Sequence, residues 1–381
     1  MYSNPRPHAK GCIMLARFTL NIFTLLLAAF FLNAPLAAQS FMGTWSMART
    51  DNPDLVHMRF QRSRDGDRRW GIGKTMPVSI FEGLNIRSDA RQQVRLNIES
   101  DAGRISGDGT VIEGGGSGVF AFEPAPNYFR DLRRAGFDGA DADEQWAYAL
   151  NDVSLDFARA MARLEIRGLD ANKLLAYRSV GGDLEFVQDL RRENVEIEDA
   201  DTLVAFRVHD VTADFVRDIR AAGLSPDSEE LLAMSIHDVT PDFIAEMRAL
   251  ELHGDIEEFV AFRIHDVTPE FVSAIRELGF EPDAEELTAL AIHDVTPEFI
   301  TRMRALFPDA TLEDLVAAQI HDISLEFIGE IRALGLEPTF EQLIAMGIHD
   351  VTPEYIQHLR DRGVDTSDIE QLVALKIHGV D

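Results

Sequence analysis

The chain is short of cysteine, of positive charge and of long apolar runs. Its single cysteine, Cys12, allows neither an intrachain disulfide nor a thiolate metal centre. Lys and Arg number 36 against 65 Asp and Glu, a formal net charge of −29. That balance excludes non-specific nucleic-acid binding, which depends on cations that neutralise phosphates. One apolar run stands out, Phe18 to Leu32, and it falls short of the ~20 residues that cross a bilayer. Catalytic signatures are missing as well. Gly73-Lys74-Thr75 imitates the end of a phosphate loop, but Arg68 stands where that motif needs glycine, and Met76-Pro77 follows where a helix should begin. No cofactor is expected.

What is present begins with an address. Arg6, Lys10 and Arg17 lead into the apolar run, and Asn33-Ala34-Pro35-Leu36-Ala37-Ala38 ends it with a breaker and small residues. Residues 1–38 therefore read as a signal peptide, cut after Ala37 or Ala38 and taking Cys12 with it. The mature chain is expected in the periplasm or outside the cell, with no membrane span.

Charge then divides the remainder. Residues 39–122 carry 11 basic and 10 acidic residues, whereas 123–381 carry 22 basic and 55 acidic, a net charge of −33. The first segment alternates apolar and polar residues in short runs, such as Val56-His57-Met58-Arg59-Phe60 and Val94-Arg95-Leu96-Asn97-Ile98. Asp65-Gly66 and Asp108-Gly109 supply turns. Six or seven antiparallel strands are expected, as a small sandwich or a partly closed barrel.

The second segment repeats itself. His209, His237, His265, His293, His321 and His349 lie 28 residues apart, each followed by Asp. The full unit reads I-H-D-V-T-P-E-F-I, then R-x-L-G, then an acidic start to a second apolar stretch. An alanine recurs in nine units, from Ala147 to Ala374. Each unit predicts two short helices. Thr240 suits the cap of the first, Pro241 its first position, and Val239 with Ile244 a hydrophobic staple. Gly223, Gly279, Gly335 and Gly363 should end it in a left-handed conformation. Asp227 with Glu230, Asp255 with Glu258, Asp283 with Glu286 and Ser367 with Glu370 should open the second. Helices this short are marginal alone, so neighbouring units must bury them. The expected fold is α+β and multidomain: a small antiparallel β domain at 39–122, then an α-solenoid of nine 28–29-residue two-helix repeats at 123–381.

The strings Val239-Thr240-Pro241-Asp242-Phe243-Ile244 and Val267-Thr268-Pro269-Glu270-Phe271-Val272 resemble a short helical repeat of exported bacterial proteins of unknown function. Similar repeats trail some antirepressor-type membrane metallopeptidases. The resemblance implies repeat architecture and an envelope location. It carries no peptidase activity across, because H-E-x-x-H and a multi-span segment are both missing. Many members of that group have His-Gly-Val where this chain has His-Asp-Val, with Gly379 as the exception.

Several residue sets compete for a functional role. The six histidines could ligate zinc, but ligands lie ~2.0–2.2 Å from the ion while adjacent rungs should be ~8–10 Å apart. They read instead as a structural ladder, with His donating to the last carbonyls of the second helix and Asp stabilising the turn. An arginine five residues after the unit's aromatic, for example Arg220, Arg248, Arg276, Arg304 and Arg332, should pair with acids such as Glu229, Glu285 and Glu313 at the start of the second helix. Positions that vary between units are candidates for a partner-binding surface: Arg217 and Asp218, Ala245 and Glu246, Ser273 and Ala274, Thr301 and Arg302, Gly329 and Glu330, Gln357 and His358. The expected function is a non-enzymatic scaffold that binds another protein, a basic one by charge. One alternative is an envelope signalling or sensor module acting with a membrane metallopeptidase. A second is a hydrolase with a site around His57, Trp70 and Glu82, where no acid–base pair can be placed together.

Overall fold

The computed structural model of the chain describes residues 40–64 and 68–380, with the side chains of 63–70 outside that description. The leader at 1–38, Cys12, the Asp65-Gly66 turn and the Trp70 side chain therefore lie outside the described residues. Two compact units emerge. One takes in the described residues through Asn97, with Arg104–Pro126 and Asp141–Trp146; the other holds Ile98–Gly103, Asn127–Ala140 and the chain from Ala147 onward.

The first unit is built on a seven-stranded antiparallel half-barrel. Its strands are β1 Phe41–Arg49, β2 Leu55–Arg64, β3 Arg68–Pro77, β4 Phe81–Glu82, β5 Gln92–Ser100, β6 Gly103–Ile112 and β7 Gly115–Pro124. Their order is β3-β2-β1-β7-β6-β5-β4, so the sheet is single and the sandwich alternative falls. Every neighbour is a sequence neighbour except β1 and β7, which close the middle of the sheet with Trp45 opposite Gly118. With β1 antiparallel to both β2 and β7, alternation brings β3 and β4 out running in the same sense. The chain crosses from one sheet edge to the other through a single 3₁₀ turn, Val78–Ile80, just after Pro77. Alternation along β1 buries Trp45 and Met47 and exposes Thr44 and Ser46. Trp45 packs 5.1 Å from Phe81, and Phe60 meets Phe120 edge-on at 5.5 Å. A Cβ at Gly109 or Gly118 would run into the Trp45 indole, so these glycines make its slot.

The second unit holds the repeat. The helices of the chain are α1 Tyr128–Arg134, α2 Gln145–Leu150, α3 Leu155–Ala162, α4 Ala171–Ser179, α5 Leu184–Arg192, α6 Ala200–Val208, α7 Ala213–Ala221, α8 Ser228–Ile236, α9 Pro241–Ala249, α10 Ile256–Ile264, α11 Pro269–Glu277, α12 Ala284–Ile292, α13 Pro297–Leu306, α14 Leu312–Ile320, α15 Leu325–Ala333, α16 Phe340–Ile348, α17 Pro353–Asp361 and α18 Ile369–Ile377. From α4 to α18 each even-numbered helix packs on the next even one, and odd helices contact odd, as in α3 with α5, α11 with α13 and α15 with α17. Contacts of this kind reach only the adjacent unit, which is the physical meaning of a solenoid.

Local chemistry sets each boundary. The Thr240 Oγ accepts from the Phe243 N–H at 3.2 Å, with Pro241 at the first helical position. Asp227, Asp255 and Asp283 form full capping boxes with Glu230, Glu258 and Glu286. The last unit departs from expectation: Asp368, not Ser367, caps α18, because Ser367 gives its N–H to Asp365. Gly223, Gly279, Gly335 and Gly363 take φ of 84, 86, 78 and 78°. The His-Asp turns use the same device without glycine. Asp210, Asp238, Asp266, Asp294, Asp322 and Asp350 all lie at φ 52–56°. The Val239 N–H donates to Met234 O at 2.8 Å, and its counterparts Val267, Val295, Ile323 and Val351 do the same. This is a Schellman closure with Asp in the left-handed position, one that Asp and Asn tolerate better than most residues.

Candidate functional site

Two of the residues proposed for hydrolysis, His57 and Glu82, are set apart in the sheet. His57 is exposed on β2 and Glu82 sits on β4, with four strands between them in the sheet order. Glu82 pairs with Arg95 at 3.5 Å. A shallow recess of about 400 Å³ on the sheet is edged by Thr44, Ser46, Arg59, Gln61, Ser117 and Val119, with a single titratable side chain among these. Among the described residues no three His, Cys, Asp or Glu side chains gather to hold a metal.

The histidines lie at the C-caps of the even helices from α6 onward. Their backbone N–H groups donate to the recurrent alanine four residues back, as His265 does to Ala261 O at 3.0 Å. His209 is exposed and the next five are half-buried. Burial holds the His237 imidazole below its ordinary value, and Asp238 partly opposes this.

The arginine series makes a different bond from the expected ion pair. Arg220, Arg248, Arg276, Arg304 and Arg360 each donate to a backbone carbonyl at the end of the preceding unit's first helix: Glu193, Ala222, Leu250, Leu278 and Leu334. Arg276 and Arg332 add ion pairs, at 3.6 and 3.5 Å, to Glu281 and Glu337. The acids Glu229, Glu285 and Glu313 take no part. Helix C-termini carry unpaired carbonyls and negative dipole ends, so each of these five guanidinium groups caps one unit with the side chain of the next. Even helices repeat the scheme at the turns. Ser235 and Arg263 donate to the His209 and His237 carbonyls, and Gln319 to Asp294 O.

The variable positions fall on the odd helices. Arg217, Asp218, Ala245, Glu246, Thr301, Arg302, Gly329, Glu330, Gln357 and His358 are exposed there, whereas Ser273 and Ala274 are half-buried. They share no chemistry. Arg217 is tied to Asp214 at 2.9 Å, Arg302 to Glu298 at 3.5 Å, and Asp218 edges a small hollow with Pro241 and Asp242.

A more regular surface lies on the even helices. Val208, Ile236, Ile264, Ile292, Ile320, Ile348 and Ile377, each just before the turn histidine, are 41–55 % exposed. Among the described residues from Ala147 onward only Leu306 and Val380 otherwise appear as exposed large apolar side chains. The column is not needed for the helix end, because the Schellman contact joins Met234 to Val239 and leaves Ile236 outside. One turn back on the same face lie Leu232, Val260, Thr288, Val316 and Ile344, all half-buried, beside the recurrent alanines. Acids flank the band on both sides. Asp201, Glu229, Glu257, Glu285, Glu313, Glu341 and Glu370 stand exposed in the first turns, and the six turn aspartates stand exposed past the last. Asp201, Asp210 and Asp350 have ion pairs, with Lys173, Arg207 and Lys376; among the described residues none pairs with Asp238, Asp266, Asp294, Asp322 or the glutamates of the first-turn row. Sequence reasoning passed over this column because an apolar residue at every rung reads as core. Ile236, two residues after the buried Met234, points ~200° away from it, which was the available signal.

No family model, no curated protein and no solved structure matches this chain.

Proposed function

We propose that this protein is an exported scaffold that binds another protein through the even-helix layer of its repeat, with no catalysis of its own. The observation that carries the reading is the exposed aliphatic column. A repeat retains a residue in every unit because each unit packs with it or because something else touches it. The isoleucines before the turns are half in water and outside the helix-closing contact, which favours the second reason. Contiguous apolar surface rimmed by polar residues is the usual mark of an interaction site, and solenoids present such surfaces at length. Acid rows beside the column favour encounter with a basic partner. Export rests on the leader at 1–38.

The test is retention of a discrete protein from envelope extract on the immobilised chain at moderate salt. Replacing Ile236, Ile264, Ile292 and Ile320 with Ser should abolish retention while the chain keeps its helical circular dichroism, with a lowered thermal transition because about half of each side chain is covered. Replacing Asp218, Glu246 and Glu330 with Ser should leave retention unchanged. The opposite pattern would return the surface to the odd helices. Turnover of an envelope substrate with nothing retained would end the scaffold reading.

A further inference from the structure

We infer that the even-helix layer receives a cationic amphipathic helix from its partner, seated along the aliphatic column with its basic side chains over the two acid rows. This rests on the scaffold reading and adds the chemical class of the occupant.

Three features argue for it. The first is width. From the first-turn acid to the turn aspartate is nine residues, as in Glu229 to Asp238, which at 1.5 Å per residue separates the rows by ~13–14 Å. A helix with its side chains is ~10–12 Å across, so it fills the band with an acid row at each flank. The second is charge. Among the described residues the four aspartates from Asp238 to Asp322 and the facing glutamates make no ion pair with Lys or Arg, and α8, α12, α14 and α16 carry no basic residue in their last turns. Lys or Arg on the flanks of an incoming helix would lay their aliphatic stems on the band and set their heads on these carboxylates. The third is exclusion. A second copy of this acidic face, or an anionic lipid surface, would bring like charge against both rows.

The probe is a synthetic helix-forming peptide of about 18 residues with Leu along one face and Lys elsewhere; at ~27 Å it spans about three rungs. Binding to the full chain is read by fluorescence anisotropy across a salt series. Tight, salt-sensitive binding is expected. A scrambled peptide of the same composition, lacking the apolar stripe, should bind at least about tenfold more weakly. A Leu/Glu version should not bind. Ile264→Ser, Ile292→Ser and Ile320→Ser together should weaken the Lys peptide about tenfold in a chain that keeps its helical circular dichroism at the assay temperature. Glu257→Gln, Glu285→Gln and Glu313→Gln should flatten its salt dependence. Equal binding of the scrambled peptide, or indifference to the serine substitutions, would overturn the inference. So would self-association in sedimentation, or binding to phosphatidylglycerol vesicles, that the serine substitutions abolish. If the peptide fails while retention of the natural partner still depends on the column, the helical occupant falls and the scaffold stands. If retention ignores the column, the scaffold reading falls instead.

Discussion

Trp45 and Phe262 are both fully buried aromatics, yet the chain holds them in different ways. Trp45 lies opposite Phe60 on β2 and Gly118 on β7 and against Phe81 on β4, so its surroundings are gathered from distant parts of the sequence. Phe262 belongs to a cluster whose buried members run only from Ile219 to Leu287. In the sheet every residue occupies its position once, and its environment follows from topology. In the repeat each position recurs, so units can be compared with one another and a residue kept without burial becomes visible. That is why the helical unit yields a functional candidate and the sheet does not.

The largest effects should test this contrast directly. Trp45→Ala and Phe262→Ala should each cost about 3–5 kcal/mol, the usual range for a buried aromatic truncated to alanine. Their reach should differ. In hydrogen exchange of the full chain, Trp45→Ala should deprotect strands across the whole sheet. Phe262→Ala should deprotect α8 to α12 and leave α16 to α18 at wild-type protection. Equal loss in α18 would refute nearest-neighbour stability.

Arg304→Ala should come next. Its guanidinium donates to Leu278 O at 2.7 Å and lies 4.8 Å from the Phe280 ring centre. Urea unfolding should show a loss of about 1–2 kcal/mol, in the range for a hydrogen bond from a charged donor. Arg302→Ala, two positions earlier on the exposed side, should stay within about 0.5 kcal/mol of wild type. The same cost for both would mean that the carbonyl cap contributes nothing.

Asp294→Gly should be smaller and of opposite sign. Asp294 sits at φ 54°, where glycine is unstrained but gains entropy on unfolding. The melting temperature should rise or hold, within about 1 kcal/mol of stability, while one carboxylate leaves the acid row. A clear drop would show that the aspartate side chain itself supports the turn.

The smallest effect concerns pH. Burial lowers the His237 pKa from its ordinary 6.5, so the unfolded chain takes up this proton more readily than the folded one. Its contribution to stability is therefore whole above that ordinary value and is lost as pH falls through the folded one. His237→Gln should slightly flatten the decline in melting temperature between about pH 7 and about pH 5. A steeper decline would reverse the assigned sign.

Much of the repeat could be read from sequence because its signals are short-range. The Thr240 cap, the Asp255–Glu258 box and the Gly279 terminus each involve residues within a few positions of one another. The misplaced cap in the last unit has the same origin: Ser367, Asp365 and Asp368 compete within four residues, and only the folded backbone ranks them. The arginine partners were not legible. Arg276 reaches Leu250 O, an acceptor that any residue offers and that lies 26 positions upstream. The expected acid, Glu285, takes no part, and the acid that Arg276 does meet is Glu281, ahead of the second helix.

The order of amino acids was sufficient for the period, the two-helix unit, the caps of every unit but the last and the segregation of charge, since propensity, capping and turn chemistry act over a turn or two of chain. Tertiary structure alone decided that β1 pairs with β7, that β3 and β4 lie on opposite edges of the half-barrel, and that Arg220, Arg248, Arg276, Arg304 and Arg360 cap the unit before them. It also decided that Ile236 and its counterparts face water while Met234 and its counterparts do not. These are matters of which surfaces meet, and apolar character states only that a side chain gains by leaving water. It does not say whether the surface that covers it belongs to the same chain or to another.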